Sequence, residues 1–282
     1  MDQASTLRNF ATNPTFTKVF AITSGKGGVG KTNIISNIAY MLSQKGKRVL
    51  LMDADLGLGN IDILLGLAPK YNISHVFKGE KNLSDIIVTG PGNIKIIPAS
   101  SGIQKVTNLN DEEKINLMNQ LENLNFDYDY FLIDTGAGIS KNVTYFCIAA
   151  QEIIVIATPE PTSITDAYAL IKVLYQNYKE KKFNLIVNMA KSQNEAFQVF
   201  KTLTLVIDKY LGLELSLDYL GFIPADTNFT LSVRKQKLLT ELFPDSQTSD
   251  AINNIVNKLD NMNIDNTSKG NIQFFWNKIL SM

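Results

Sequence analysis

Short, wholly apolar runs alternate along this chain with longer stretches whose apolar residues recur at helical spacing. The runs are Val19-Phe20-Ala21-Ile22, Arg48-Val49-Leu50-Leu51-Met52, Lys95-Ile96-Ile97-Pro98, Tyr130-Phe131-Leu132-Ile133, Glu152-Ile153-Ile154-Val155-Ile156-Ala157, Phe183-Asn184-Leu185-Ile186-Val187-Asn188-Met189 and residues 217–223. Runs this short and this continuously apolar predict strands covered on both faces, as a parallel sheet requires. Between them the pattern predicts helices over 33–42, 111–124, 164–178, 195–211 and 249–259, the second capped at Asn110 or Asp111. Residues 60–93 read as short helices and loops, one of them over 83–88. Strands alternating with helices predict an α/β fold with a doubly wound, mainly parallel sheet.

The periodicity also divides the chain. Residues 1–18 precede the first strand as a loosely structured arm, and 19–260 hold the strand–helix domain. Residues 261–270, rich in Asn, Asp, Ser and Thr, read as a flexible linker. Apolar residues return in 271–282: Ile272, Phe275, Trp276 and Ile279 form one helical stripe with Leu280 at its edge, and Phe274 departs from it. Such a helix either docks on the domain or lies in a membrane interface. Lys278 is its sole basic residue, so attraction to anionic lipid would be weak.

Composition narrows the chemistry. Lys+Arg and Asp+Glu both number 27, and the one basic run, 179–182, is interrupted by Glu180, so nucleic acid is not an expected partner. Cys147 is the single cysteine and lies in an apolar run, which predicts a buried thiol and excludes disulfides and cysteine-held iron–sulfur clusters within one chain. The one histidine, His75, has no ligand partners nearby and reads as structural. The N-terminus carries no secretory pattern, and no apolar stretch approaches the ~20 residues that span a bilayer. A cytoplasmic protein is expected.

Three motifs carry the function. Gly25-Lys26-Gly27-Gly28-Val29-Gly30-Lys31-Thr32 follows the first strand and opens the first helix at Asn33. Glycine-rich backbone curled around a helix N-terminus makes a phosphate cradle; Lys31 can reach β- and γ-phosphates, and the Thr32 hydroxyl can bind Mg²⁺. Asp53 and Asp55 end the second strand, where open parallel sheets place ligands, and strand alternation puts both on one face. Asp134 ends a hydrophobic strand, the position of a magnesium-holding acid in such folds.

Lys26, a second lysine five residues before Lys31, makes the loop resemble the deviant Walker A motif of the MinD/ParA family, ATPases that dimerise around two ATP molecules. The resemblance covers most of residues 18–260 and implies the cofactors ATP and Mg²⁺. It implies that Lys26 crosses the dimer interface to the partner's phosphates and that Asp55 orients the attacking water while Asp53 helps organise the magnesium shell. Thr135-Gly136-Ala137-Gly138-Ile139 resembles the family's second switch, which senses the γ-phosphate. Asn188 and Pro224-Ala225-Asp226 match its adenine-recognition elements, with helix capping or turn formation as the alternative for Asn188 and Asp226.

At the N-terminus, Asp2-Gln3-Ala4 followed by Leu7-Arg8 resembles the D-Q-A-x-x-L-R element of the FlhG branch of that family, regulators of flagellar number and placement. That likeness implies an FlhF-like GTPase and flagellar basal-body components as partners, an ATP-dependent homodimer, and peripheral contact with the inner face of the cell membrane through the C-terminal helix. A division-site MinD would share the tail and lack the arm; a DNA-segregating ParA would present a basic surface.

Overall fold

In the computed structural model, residues 17–57, 59–99, 110–124 and 128–264 are described. Eight strands form one sheet: β1 (Lys18–Ser24), β2 (Val49–Ala54), β3 (Val88–Thr89), β4 (Lys95–Ile97), β5 (Tyr130–Ala137), β6 (Glu152–Ala157), β7 (Lys182–Ala190) and β8 (Ser216–Pro224). Their order is β3-β4-β2-β5-β1-β6-β7-β8, and every pairing is parallel except β3 with β4. The sheet is doubly wound and mainly parallel, as the alternation of apolar runs predicts.

The helices are α1 (Lys31–Gln44), α2 (Ile61–Leu64), α3 (Ile73–Phe77), α4 (Leu83–Ile86), α5 (Asp111–Asn123), α6 (Lys141–Ala149), α7 (Pro161–Tyr178), α8 (Gln193–Leu211), α9 (Asn228–Arg234), α10 (Leu239–Leu242) and α11 (Gln247–Asn261). Strand alternation splits the core between the two faces of the sheet. On one, Phe20 and Ile22 of β1 pack with Ile34, Ile35 and Ile38 of α1 and Ile252, Ile255 and Val256 of α11. On the other, Val19 and Ala21 pack with Phe146 of α6, Leu170 and Leu174 of α7 and Leu203 of α8. Burial of each large aliphatic side chain contributes about 1.5–3 kcal/mol relative to leaving it in water.

Five elements differ from the periodicity. β5 runs three residues beyond Asp134 because Ala137 still pairs with Ser24 of the neighbouring central strand. α6 is buried along nearly its whole length, so its sequence shows no polar face; Ser140 starts it by accepting the amide of Val143. β3, two residues long, and the short α9 and α10 carry too few residues to show a period.

The boundaries shift too. Thr17 and Lys18 belong to the domain: the Thr17 hydroxyl donates to the Tyr128 carbonyl at 2.7 Å, and Lys18 pairs with Tyr130. Lys18 Nζ donates to the carbonyls of Asp260 at 2.7 Å and Met262 at 2.9 Å, fixing the end of α11. Asn261 is therefore still helical, and Met262 and Ile264 pack against the core, so the domain extends into the stretch whose composition reads as linker. The Asp2–Arg8 element and the stripe from Ile272 to Leu280 lie outside the described residues. Among the described residues, no helix is long and apolar enough to cross a membrane.

His75 closes a capping box with Asn72 at the start of α3 and packs edge-on to Tyr71. Cys147 is buried and in no disulfide among the described residues, as its apolar run predicts.

Candidate functional site

The site forms where β1, β2 and β5 end. α1 starts directly behind Gly30, whose φ of 90° is left-handed, and no side chain caps it. Its first amides and the positive end of its dipole therefore face the loop, which suits an anion. Glycine is required at two points of this loop for different reasons. A Cβ at Gly25 would collide with the Asp166 carbonyl of α7, and one at Gly30 would meet the Asn188 amide in a conformation that other L-residues rarely adopt. Lys31, the first residue of α1, is buried beside the acids.

Asp53 of β2 and Asp134 of β5 are register partners on adjacent strands, and both are almost wholly buried. The Thr32 hydroxyl donates to Asp134 Oδ2 at 2.7 Å, joining the start of α1 to β5. Asp134 Oδ1 is buried without a hydrogen-bond partner. An orphaned carboxylate oxygen next to a threonine hydroxyl is a fitting donor set for magnesium. Among the described residues no cluster of three His, Cys, Asp or Glu side chains could hold a metal, so such an ion would rely mainly on phosphate and water. Burial pushes the Asp53 carboxyl up, and the Asp134 charge adds to this, against the three amides it accepts. Burial likewise raises Asp134, while the Thr32 hydrogen bond and the Lys31 charge oppose the rise. A cation arriving here would favour the ionised form of both.

Asp55 follows the end of β2, with its amide donating to Asp53 Oδ1 at 3.2 Å. Its carboxylate lies beside Gly136, where a Cβ would stand 3.6 Å from Oδ1. The Gly138 amide donates to the Ser24 carbonyl at 2.9 Å, and the Ser24 hydroxyl donates to the Lys26 carbonyl at 2.8 Å. The glycine-rich loop and the turn after β5 are thus physically joined.

Lys26 is placed differently from Lys31. Its Nζ bonds Glu160 Oε2 at 2.8 Å and Thr162 Oγ1 at 3.1 Å, at the start of α7. With 40% and 64% of the two side chains exposed, this pair is worth roughly 0.2–1 kcal/mol and breaks cheaply. Neither Glu160 nor Thr162 lies in a motif that marks it beforehand.

The two stretches expected to recognise adenine meet as neighbours, since β7 and β8 pair to their ends and Ala190 faces Pro224. Asn188 Nδ2 donates to the Val29 carbonyl at 2.8 Å, so its amide braces the loop, and its Oδ1 is buried without a partner. Asp226 Oδ1 accepts the amide of Asn228 at 2.8 Å, and Oδ2 accepts the Thr248 hydroxyl at 2.6 Å. Both of its oxygens are engaged in holding the 224–228 turn, in line with the turn-forming alternative.

Comparison with known proteins agrees with this arrangement. A family model described as an AAA domain matches residues 17–189. The chain is 40% identical over 263 residues to the antiactivator FleN of Pseudomonas aeruginosa, covering 93% of both chains. It is 36% identical to the flagellum site-determining protein YlxH of Helicobacter pylori, covering 95% of this chain and 92% of that one. Among solved structures, the MinC:MinD cell division protein complex of Aquifex aeolicus is 27% identical with a TM-score of 0.69, covering 88% of this chain and 98% of that one. The MinD of Pyrococcus horikoshii complexed with Mg-ADP shares the fold, at 23% identity and a TM-score of 0.70, covering 87% and 96%.

Proposed function

Because the chain belongs to the AAA-domain ATPases of the MinD/ParA type and is therefore an ATP hydrolase, we propose that it couples ATP binding to dimerisation and so regulates the number and placement of flagella. The likeness to FleN over nearly the whole of both chains carries the flagellar part of this reading. YlxH, whose name assigns it the siting of the flagellum, supports it independently.

The residues take these roles in the proposal. The amides of the Gly25–Thr32 loop and Asn33 bind the phosphates, and Lys31 pairs with the β- and γ-oxygens. Thr32 and Asp134, with Asp53 behind them, would hold Mg²⁺, which when bound would supply positive charge to offset that of the polyphosphate. Asp55 orients the attacking water from beside Gly136. The Asn188 amide and the Pro224 turn hold the base; Asp226 acts by bracing that turn. Lys26 leaves Glu160 to reach a second copy's phosphates, a move that costs little because the pair is exposed.

Hydrolysis then returns the dimer to monomers. An antiactivator that cannot bind ATP no longer restrains its target. Cells whose sole copy carries Lys31→Ala should accordingly show extra or displaced flagella under the electron microscope. A count and placement equal to the parent strain would exclude the flagellar role.

The two terminal segments complete the proposal. Asp2, Gln3, Ala4, Leu7 and Arg8 engage an FlhF-like GTPase, and the stripe of Ile272, Phe275, Trp276, Ile279 and Leu280 lies in the membrane interface. A dimer presents two tails at once, so membrane binding follows the nucleotide. Removing residues 1–10 should abolish stimulation of that GTPase with ATP hydrolysis intact. Phe275→Glu with Trp276→Glu should abolish ATP-dependent pelleting with liposomes. Unchanged stimulation, or unchanged pelleting, would remove the respective segment from the account.

A further inference from the structure

Asp53 does more than face a cation. Its Oδ1 accepts the amide of Asp55 at 3.2 Å, and its Oδ2 accepts the amides of Asn60 at 2.9 Å and Ile61 at 3.1 Å. One carboxylate therefore ties Asp55 to the first turn of α2. Helix α2 is only four residues long and cannot hold its own position by internal hydrogen bonds. Its location depends on what grips it from outside.

At the other end of α2, the Ile63 carbonyl accepts Gln236 Nε2 at 3.0 Å, a contact spanning 173 residues of sequence. Gln236 has a φ of 52°, a region sparsely populated by glutamine. Its side chain runs along Gly66, where a Cβ would stand 3.2 Å from the Gln236 Cβ and intrude on this path. The backbone is thus held in an unusual conformation that aims this amide at α2.

Gln236 belongs to the segment that follows the base-binding turn, and that segment is firmly held elsewhere. The Thr240 amide and hydroxyl both donate to Asn37 Oδ1 of α1 at 2.9 Å, in a buried contact. Asp226, at the head of the segment, accepts the Thr248 hydroxyl of α11. The segment is therefore a fixed strut between α1 and α11, and Gln236 is an exposed arm reaching from it to α2.

We infer that Gln236 is a positioning residue for hydrolysis: it holds α2 so that Asp53, through its three amides, holds Asp55 where water is oriented. The inference rests on the role of Asp55 given above. It links the base-binding end of the site to the hydrolytic end through one hydrogen bond on the surface. A merely structural bridge would alter local stability and leave turnover alone.

Single-turnover ATP hydrolysis and titration with Mg-ADP, on the full chain, separate these cases. Gln236→Glu keeps the shape and loses the donor; it should slow hydrolysis about three- to tenfold and leave the ADP Kd within about twofold. Gln236→Lys restores a donor and should return the rate to within about twofold of the parent. Amide exchange at Asn60 and Ile61 should quicken in Gln236→Glu alone. Parental turnover by Gln236→Glu, an ADP affinity that falls in step with the rate, or equal slowing by Gln236→Lys would each overturn the inference. Asp55→Ala measured alongside tests the premise: if it hydrolyses ATP normally, the role of Asp55 fails, whatever Gln236 does.

Discussion

Lys31→Ala protein should fold normally and lose ATP affinity by at least about a hundredfold. Lys31 is the first residue of α1, where alanine is a good helix former, so the substitution does not threaten the helix. The lysine is buried next to Asp134, and its charge is one of the influences holding that carboxyl down against burial. Removing it takes away a phosphate-pairing cation and leaves two buried acids facing the incoming polyphosphate. The loop amides and the α1 dipole remain, which is why residual weak binding is expected. Calorimetric titration with ATP and Mg²⁺ checks this. Affinity equal to the parent protein would mean that Lys31 does not face the nucleotide.

Asp55→Ala should give the opposite separation, with ATP binding kept and hydrolysis slowed about 10²–10⁴-fold, the range for losing a positioned proton-handling group. Asp55 lies beside Gly136, and its charge adds to the burial that raises Asp134. Its removal therefore relieves repulsion at the acid proposed for magnesium and gives no reason for weaker binding. A quench-flow or single-turnover assay reads the rate directly. Parental turnover would assign water orientation to another group.

How much of this was legible beforehand depended on sequence separation. The phosphate loop is a local structure: its glycines, Lys31 and Thr32 take their places from residues within one strand–turn–helix unit, so the spacing alone located them. The acids of β2 and β5 were legible for the same reason, since unbroken apolar runs stop at Asp53 and Asp134, although both strands run on past them. That these runs lie side by side, with Asp53 paired to Asp134, follows from strand order, which periodicity does not encode. The resting place of Lys26 on Glu160 joins residues 134 apart, and the Asp226–Thr248 bond joins residues 22 apart across two helices. α6 was missed because burial on all sides erased the polar face that marks a helix.

In the proposed function, ATP draws two copies together with Lys26 reaching across. Sedimentation velocity of the Asp55→Ala protein, which should bind ATP without consuming it, tests this most directly. With Mg-ADP a single species of 31.3 kDa is expected. With Mg-ATP a species of twice that mass should appear, and adding Lys26→Ala should return it to the monomer. A monomer under Mg-ATP, or a dimer indifferent to Lys26→Ala, would contradict the account.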